Sequence, residues 1–84
     1  MRRAVISFTS NIAEGFGRRS SKEKINFYYT AQASLIELQN QIIIARDVGY
    51  LCNENFRKIA LQSVRSNKLI NGLIRSTKEK KFES

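Results

Sequence analysis

The sequence predicts an all-α protein, an antiparallel helical bundle with up-down topology. Three observations predict it. Proline is absent from the 84 residues, so the residue that most strongly breaks a helix never interrupts the chain. Glycine falls at only four positions, Gly15, Gly17, Gly49 and Gly72, and leaves long uninterrupted segments. Within those segments apolar residues recur at spacings of three and four, the period of one helix face. No repeat, linker or low-complexity stretch divides the chain. Residues 1–84 are therefore read as one domain, with helices at about 2–16, 21–48 and 54–77.

The first helix places Val5, Thr9, Ile12, Ala13 and Phe16 on one face, with Phe8 at its edge and Ser7, Ser10, Asn11 and Glu14 on the other side. Gly15 and Gly17 bracket Phe16 and loosen the end of this helix. The second helix has the clearest start. Ser20 followed three residues later by Glu23 is a capping box, in which each side chain satisfies an amide left unpaired at the helix start. From there to about Val48, with Gly49 as the stop, the helix spans about 40 Å at 1.5 Å per residue. Tyr28, Ala31, Leu35, Leu38, Ile42 and Ala45 form one stripe, and Ile25, Tyr29, Ile36 and Ile43 form a second beside it. Two stripes cover more of the helix than a surface helix needs, so this helix meets partners on two sides. Gln32, Gln39 and Arg46 lie between them, spaced by seven. They either hydrogen-bond across a helix interface or form a polar seam lining an oligomer channel.

The third helix begins at Asn53, a favourable N-cap, with Glu54 acidic in the first turn. Phe56, Ile59, Ala60, Ser63, Ile70, Leu73, Ile74 and Thr77 share its apolar face. Gly72 costs about 1 kcal/mol relative to alanine unless close packing requires it. Opposite that face, Arg57, Lys58, Arg65, Lys68 and Arg75 occupy a sector of roughly 100°. Lys78 to Ser84 is read as a charged, frayed tail.

A domain of this size buries little more than about 60% of its unfolded surface and needs reinforcement. Disulfides cannot supply it within the chain, because Cys52 is the only cysteine. A lone cysteine fits a reducing cytoplasm, and Cys52 is expected to be a buried apolar thiol. Oligomerisation is the remaining route. Histidine is absent, which removes the commonest zinc ligand and the commonest general base. The seven carboxylates form no evident acid–base or metal pair, so no catalytic residue, no metal, no cofactor and no small-molecule substrate is expected. No apolar run approaches the roughly 18 residues a membrane span needs, and Met1-Arg2-Arg3 is not followed by a signal-peptide core. The chain is expected to be soluble and cytoplasmic.

The net charge of +8 favours a polyanionic partner, either nucleic acid or an acidic protein surface. Two cationic clusters are candidates for it. One is the stripe of Arg57, Lys58, Arg65, Lys68 and Arg75. The other is Arg18, Arg19, Lys22 and Lys24 at the first turn, beside a helix N-terminus that itself favours anions. The equally simple reading of each is a solvated face and a basic loop. Phe27 points away from the main stripes, towards either a stacked base or another subunit.

Arg2-Arg3-Ala4-Val5, Ser10-Asn11-Ile12-Ala13-Glu14-Gly15-Phe16-Gly17-Arg18 and Ala33-Ser34-Leu35-Ile36-Glu37-Leu38 resemble the small four-helix bundle proteins encoded in 23S rRNA intervening sequences. The same pattern is similar to the accessory protein of diversity-generating retroelements. The resemblance covers most of the chain and implies three helices of a four-helix-bundle type, assembling into a ring that is often a pentamer. For the retroelement relatives it implies binding to nucleic acid and to a reverse transcriptase. Asn11, Glu14 and Glu37 match motif positions and are expected to hold helices together. Thr9 stands where the family usually has Pro, and Ala33 where it commonly has Gly; both suit a regular helix. Members usually carry another helix before the Arg-Arg-Ala segment, and its absence is expected to leave exposed apolar surface on the monomer. The resulting expectation is a non-enzymatic, self-associating protein. Arg18, Arg19, Lys22, Arg57, Lys58, Arg65, Lys68 and Arg75 meet phosphates of RNA or DNA. The alternative is a scaffold for an acidic protein such as a reverse-transcriptase-like partner.

Overall fold

The computed structural model describes the backbone of residues 2–83 and the side chains of residues 2–79. Three helices, α1 (Arg2–Gly17), α2 (Ser21–Asp47) and α3 (Asn53–Glu83), account for nearly all of it, with no strand among the described residues. α1 packs on α2 and α2 on α3, without backbone approach between α1 and α3 among the described residues. The result is an all-α helical bundle in which α2 is the shared spine. Its extents of 50 × 19 × 13 Å make it long and thin.

Each turn is fixed by local chemistry. Ser20 is the N-cap of α2, and its hydroxyl accepts the Glu23 amide at 3.4 Å. This is one arm of the expected capping box; the reciprocal arm is not among the hydrogen bonds of the described residues. At the other end Val48 is the C-cap and Gly49 takes φ +85°, the left-handed conformation that side chains disfavour. The Tyr50 amide then reaches the Ala45 carbonyl at 2.9 Å and the Gly49 amide reaches Arg46 at 3.1 Å, completing a Schellman motif. The N-cap of α3 is Cys52 rather than Asn53. Its carbonyl accepts the Phe56 amide at 2.9 Å and its sulfur the Asn55 amide at 3.5 Å. Cys52 is exposed, which corrects the expectation of a buried thiol. A cap position sits at the helix mouth, where the thiol has a backbone amide to accept.

The core is centred on Tyr28, Ala31, Ile70 and Ile74, with Phe8, Ile12 and Leu73 against it. The first stripe of α2 and the whole predicted face of α3 are buried or half-buried. The buried face of α1 differs from expectation by about one residue, or 100° of rotation. Ala4 and Gly15 are buried and Ser7, Phe8, Asn11 and Ile12 half-buried, whereas Val5, Thr9, Ala13 and Phe16 are exposed. Small residues win the inner face because they let α1 approach α2. A Cβ on Gly15 would lie 2.5 Å from Cε1 of Tyr28, so this glycine makes room for a ring and does not loosen the helix. The Ser7 and Ser34 hydroxyls, 2.7 Å apart, join the two helices. α3 continues to Glu83, past the expected stop at residue 77. Lys78, Glu79, Lys80 and Lys81 are good helix formers, and no glycine or proline interrupts them. Ser84 lies outside the described residues.

Gln32 and Gln39 resolve one open alternative. The Gln32 amide donates to Asn71 at 2.7 Å and to Asn67 at 3.4 Å, and the Gln39 amide donates to Ser63 at 3.2 Å. Both pair α2 with α3 within the chain. Arg46 instead bonds Asp47 at 3.2 Å and lies over the Phe56 ring, 4.3 Å from its centroid.

Candidate functional site

Burial of Ser63, Ile70, Ile74 and Thr77 forces the opposite side of α3 outward. Arg57, Lys58, Arg65, Lys68 and Arg75 are all exposed there. From Arg57 to Arg75 the stripe follows about 27 Å of helix axis. Lys58 pairs with Glu54 at 3.5 Å, an exposed pair of the kind that contributes a few tenths of a kcal/mol. Arg57, Arg65, Lys68 and Arg75 have no carboxylate within 4.0 Å among the described residues. Four cations along one ridge therefore stand without an ion-pair partner among the described residues. Leu61, Val64 and Leu69 stand among them, each about half exposed.

The second cluster is divided by its partners. Arg18 is engaged: its guanidinium meets Glu14 at 2.9 Å and covers the Phe27 ring at 4.9 Å. Lys24 donates to the carbonyls of Gly15 and Phe16, both at 3.2 Å, and so caps the negative end of α1. Arg19 and Lys22 are exposed without an ion pair among the described residues. Arg19 lines a cavity of about 290 Å³ that the turn shares with Ser76 and Thr77 of α3, beside Arg75 in sequence. The antiparallel order thus brings the cationic turn and the far end of the α3 stripe to one end of the bundle.

The motif residues hold more locally than expected. Asn11 donates to the Ser7 carbonyl at 2.7 Å and to its hydroxyl at 3.3 Å, and so steadies the serine that bonds Ser34. Among the described residues Glu14 pairs with Arg18, and Glu37 accepts from Gln41 at 3.3 Å. Both carboxylates sit on exposed surface within their own segments rather than across a helix interface. Gly15 and Tyr28 do position the turn: Tyr28 is buried as its place on the first stripe of α2 predicts, whereas Gly15, read as loosening the end of α1, makes room for its ring. A glycine two residues before its helix end, facing an aromatic-rich neighbour, was the available signal.

Among the described residues no group of three or more histidine, cysteine or carboxylate side chains converges on a metal-sized space. No helix among them is long and apolar enough to cross a membrane. A second cavity, of about 460 Å³, opens between α1 and α3 over α2. Val5, Phe8, Leu35, Leu38 and Ile59 line it together with uncharged polar side chains.

A family model described as 23S rRNA-intervening sequence protein matches residues 1–72. No curated protein and no solved structure gives a match.

Proposed function

Because this chain belongs to the 23S rRNA-intervening sequence protein family, we propose that it is a non-enzymatic, self-associating bundle that binds RNA or DNA through its basic surface. The observation that carries this reading is the ridge of Arg57, Arg65, Lys68 and Arg75, none of them neutralised by a carboxylate among the described residues. Such a ridge follows a phosphate backbone and releases its counterions, with little sequence preference. Titration of the chain against single-stranded and duplex RNA at two salt concentrations tests it. Four phosphate contacts give a log–log salt slope of about −3 on a single strand, and charge reversal at Arg65 and Lys68 halves it. No binding at low salt sinks the proposal.

Self-association rests on surface area. A compact 9.7 kDa monomer exposes roughly 5,100 Å², whereas this chain exposes 6159 Å². The excess is of the order one partner contributes to a standard interface. The uncharged groove between α1 and α3 is the place where a second copy can lie without bringing like charges together. A ring of five is the assembly the family resemblance suggests.

Leu61 and Leu69 favour a second reading. Exposed leucines among cations fit an acidic protein surface better than a phosphate backbone. In that case the chain is a scaffold for an acidic partner such as a reverse-transcriptase-like protein. Substituting both leucines by serine then abolishes partner binding, whereas RNA affinity stays as it was.

A further inference from the structure

We propose that the bare back of α2 is a second self-association surface, a neutral spine that seats in the α1–α3 groove of the next copy, so that chains stack front to back. This rests on the self-association read above and names the surface that fills the groove. Two apolar stripes on α2 predict partners on two sides, and one chain covers the first stripe only. On the far side Ile36, Ile43 and Ile44 stay 53%, 42% and 60% exposed. Ala33 and Asn40 are exposed between them.

The two faces of the molecule differ in shape. The groove of about 460 Å³ takes Val5 and Thr9 from α1 and Ile59 and Gln62 from α3, with Leu35 and Leu38 of α2 as its floor. A smaller recess of about 290 Å³ is lined by Asn40 and Ile43 of α2 and by Phe56, Ala60 and Val64 of α3. Leu38 and Asn40 are two residues apart, as are Gln62 and Val64, which is about 200° around each helix. The two recesses therefore open on opposite faces. On the groove face the outer helices are walls; on the other, α2 is the spine.

Charge selects the occupant. From Ile25 to Ala45 α2 carries one charged side chain, Glu37, in a chain with 15 cations and seven acids. No charged side chain lines either recess. The spine ends where charge returns: Arg46 pairs with Asp47 beside Phe56, and Lys78 lies 5.5 Å from the centroid of the Tyr29 ring. Two copies of net charge +8 repel wherever their cations meet, so they approach at least cost through neutral surfaces. A polyanion or an acidic protein gains nothing from either face. Asn40 on the spine and Gln62 and Ser66 in the groove supply uncharged hydrogen-bonding groups. The contact joins unlike surfaces and is heterologous. Each copy seated in a groove still offers its own, and the stack grows until it closes on itself.

Sedimentation of two variants of the full chain, apart and mixed, tests the pairing. Val5→Glu places a charge in the groove. Asn40→Lys places one on the spine, at an exposed position where lysine is the better helix former. Each variant alone sediments as one chain at concentrations where the unaltered chain is assembled. Their equimolar mixture sediments as two chains and no larger, because one variant keeps its spine and the other its groove. The mixed pair binds roughly tenfold or more tighter than either variant binds itself. Gln62→Lys in the groove and Ile36→Lys on the spine, both at exposed positions, repeat the result with helical ellipticity unchanged. Assembly undiminished by Asn40→Lys and Ile36→Lys overturns the spine and leaves the groove as a symmetric contact. A mixture that associates no more tightly than its components overturns the front-to-back pairing. An unaltered chain that sediments as a monomer sinks self-association itself, and this pairing with it.

Discussion

Two glycines in helices have opposite physical roles. Gly15 is buried against Tyr28, and a methyl group there meets aromatic carbons at 2.5 and 2.9 Å. Gly15→Ala therefore destabilises by roughly 1–3 kcal/mol through overpacking, despite alanine's better helix propensity. Nothing lies within 4 Å of a Cβ on Gly72, so Gly72→Ala stabilises by about 0.5–1 kcal/mol. Urea denaturation of the two variants gives midpoints on opposite sides of the unaltered chain. Tyr28 makes a further difference at this scale. Its phenol is raised because burial disfavours the phenolate. The folded state then keeps a proton that the unfolded state loses near pH 10, so this contribution is constant at lower pH and declines above about 10. Absorbance titration shows a late-ionising phenol that Tyr28→Phe removes. The cost of Gly72 was legible in the sequence but for the question of close packing, whereas the role of Gly15 was not, because only the neighbouring helix supplies the ring it faces. Cys52 was misread for a similar reason: hydropathy places a thiol inside, whereas its place at the mouth of α3 gives it a backbone amide to accept.

Each helix boundary has its own determinant, and the strongest is Gly49. Its φ of +85° carries the Schellman turn that reverses the chain between α2 and α3. Gly49→Ala forces a side chain into that region and costs about 1–2 kcal/mol, measurable as a lower urea midpoint with helical ellipticity unchanged. This stop was legible from sequence, as were the start at Ser20 and the whole inner face of α3. They were legible because cap chemistry and a single-sided apolar period leave little choice. α1 was not, and the reason is specific. It turns the small residues Ala4, Ser7 and Gly15 inward beside Phe8 and Ile12 and leaves Val5 and Phe16 exposed, so counting hydrophobic side chains misplaces the face by about one residue. The end of α3 was missed because charge was read as fraying, although lysine and glutamate propagate a helix well.

The whole molecule is under-buried for its mass, and the α1–α3 groove is lined without a charged side chain, whereas the cations of α3 stand on its outer side with Leu61, Val64 and Leu69 among them. Val5 tests this separation. It lines the groove yet is 45% exposed, so Val5→Glu leaves the monomer's packing intact while placing charge where a second copy is expected. Light scattering at micromolar concentration then falls to the monomer mass, with RNA salt dependence per chain unchanged. The charge separation was legible in the sequence as a basic sector opposite an apolar face. The end-cavity was not, because it needs the α1–α2 turn and residues 73–77 of α3 to meet, a juxtaposition that no single helix encodes. The thinness of the molecule has another outcome. A plate only 13 Å through has almost no interior, so most peptide groups lie one side chain from bulk water. Deuterium enters such a plate quickly and lingers at sealed stations such as Tyr28, Ala31, Leu35, Ile42 and Ile70. Any seam that forms when plates stack is therefore recorded as a band of newly slowed exchange across an otherwise fast map.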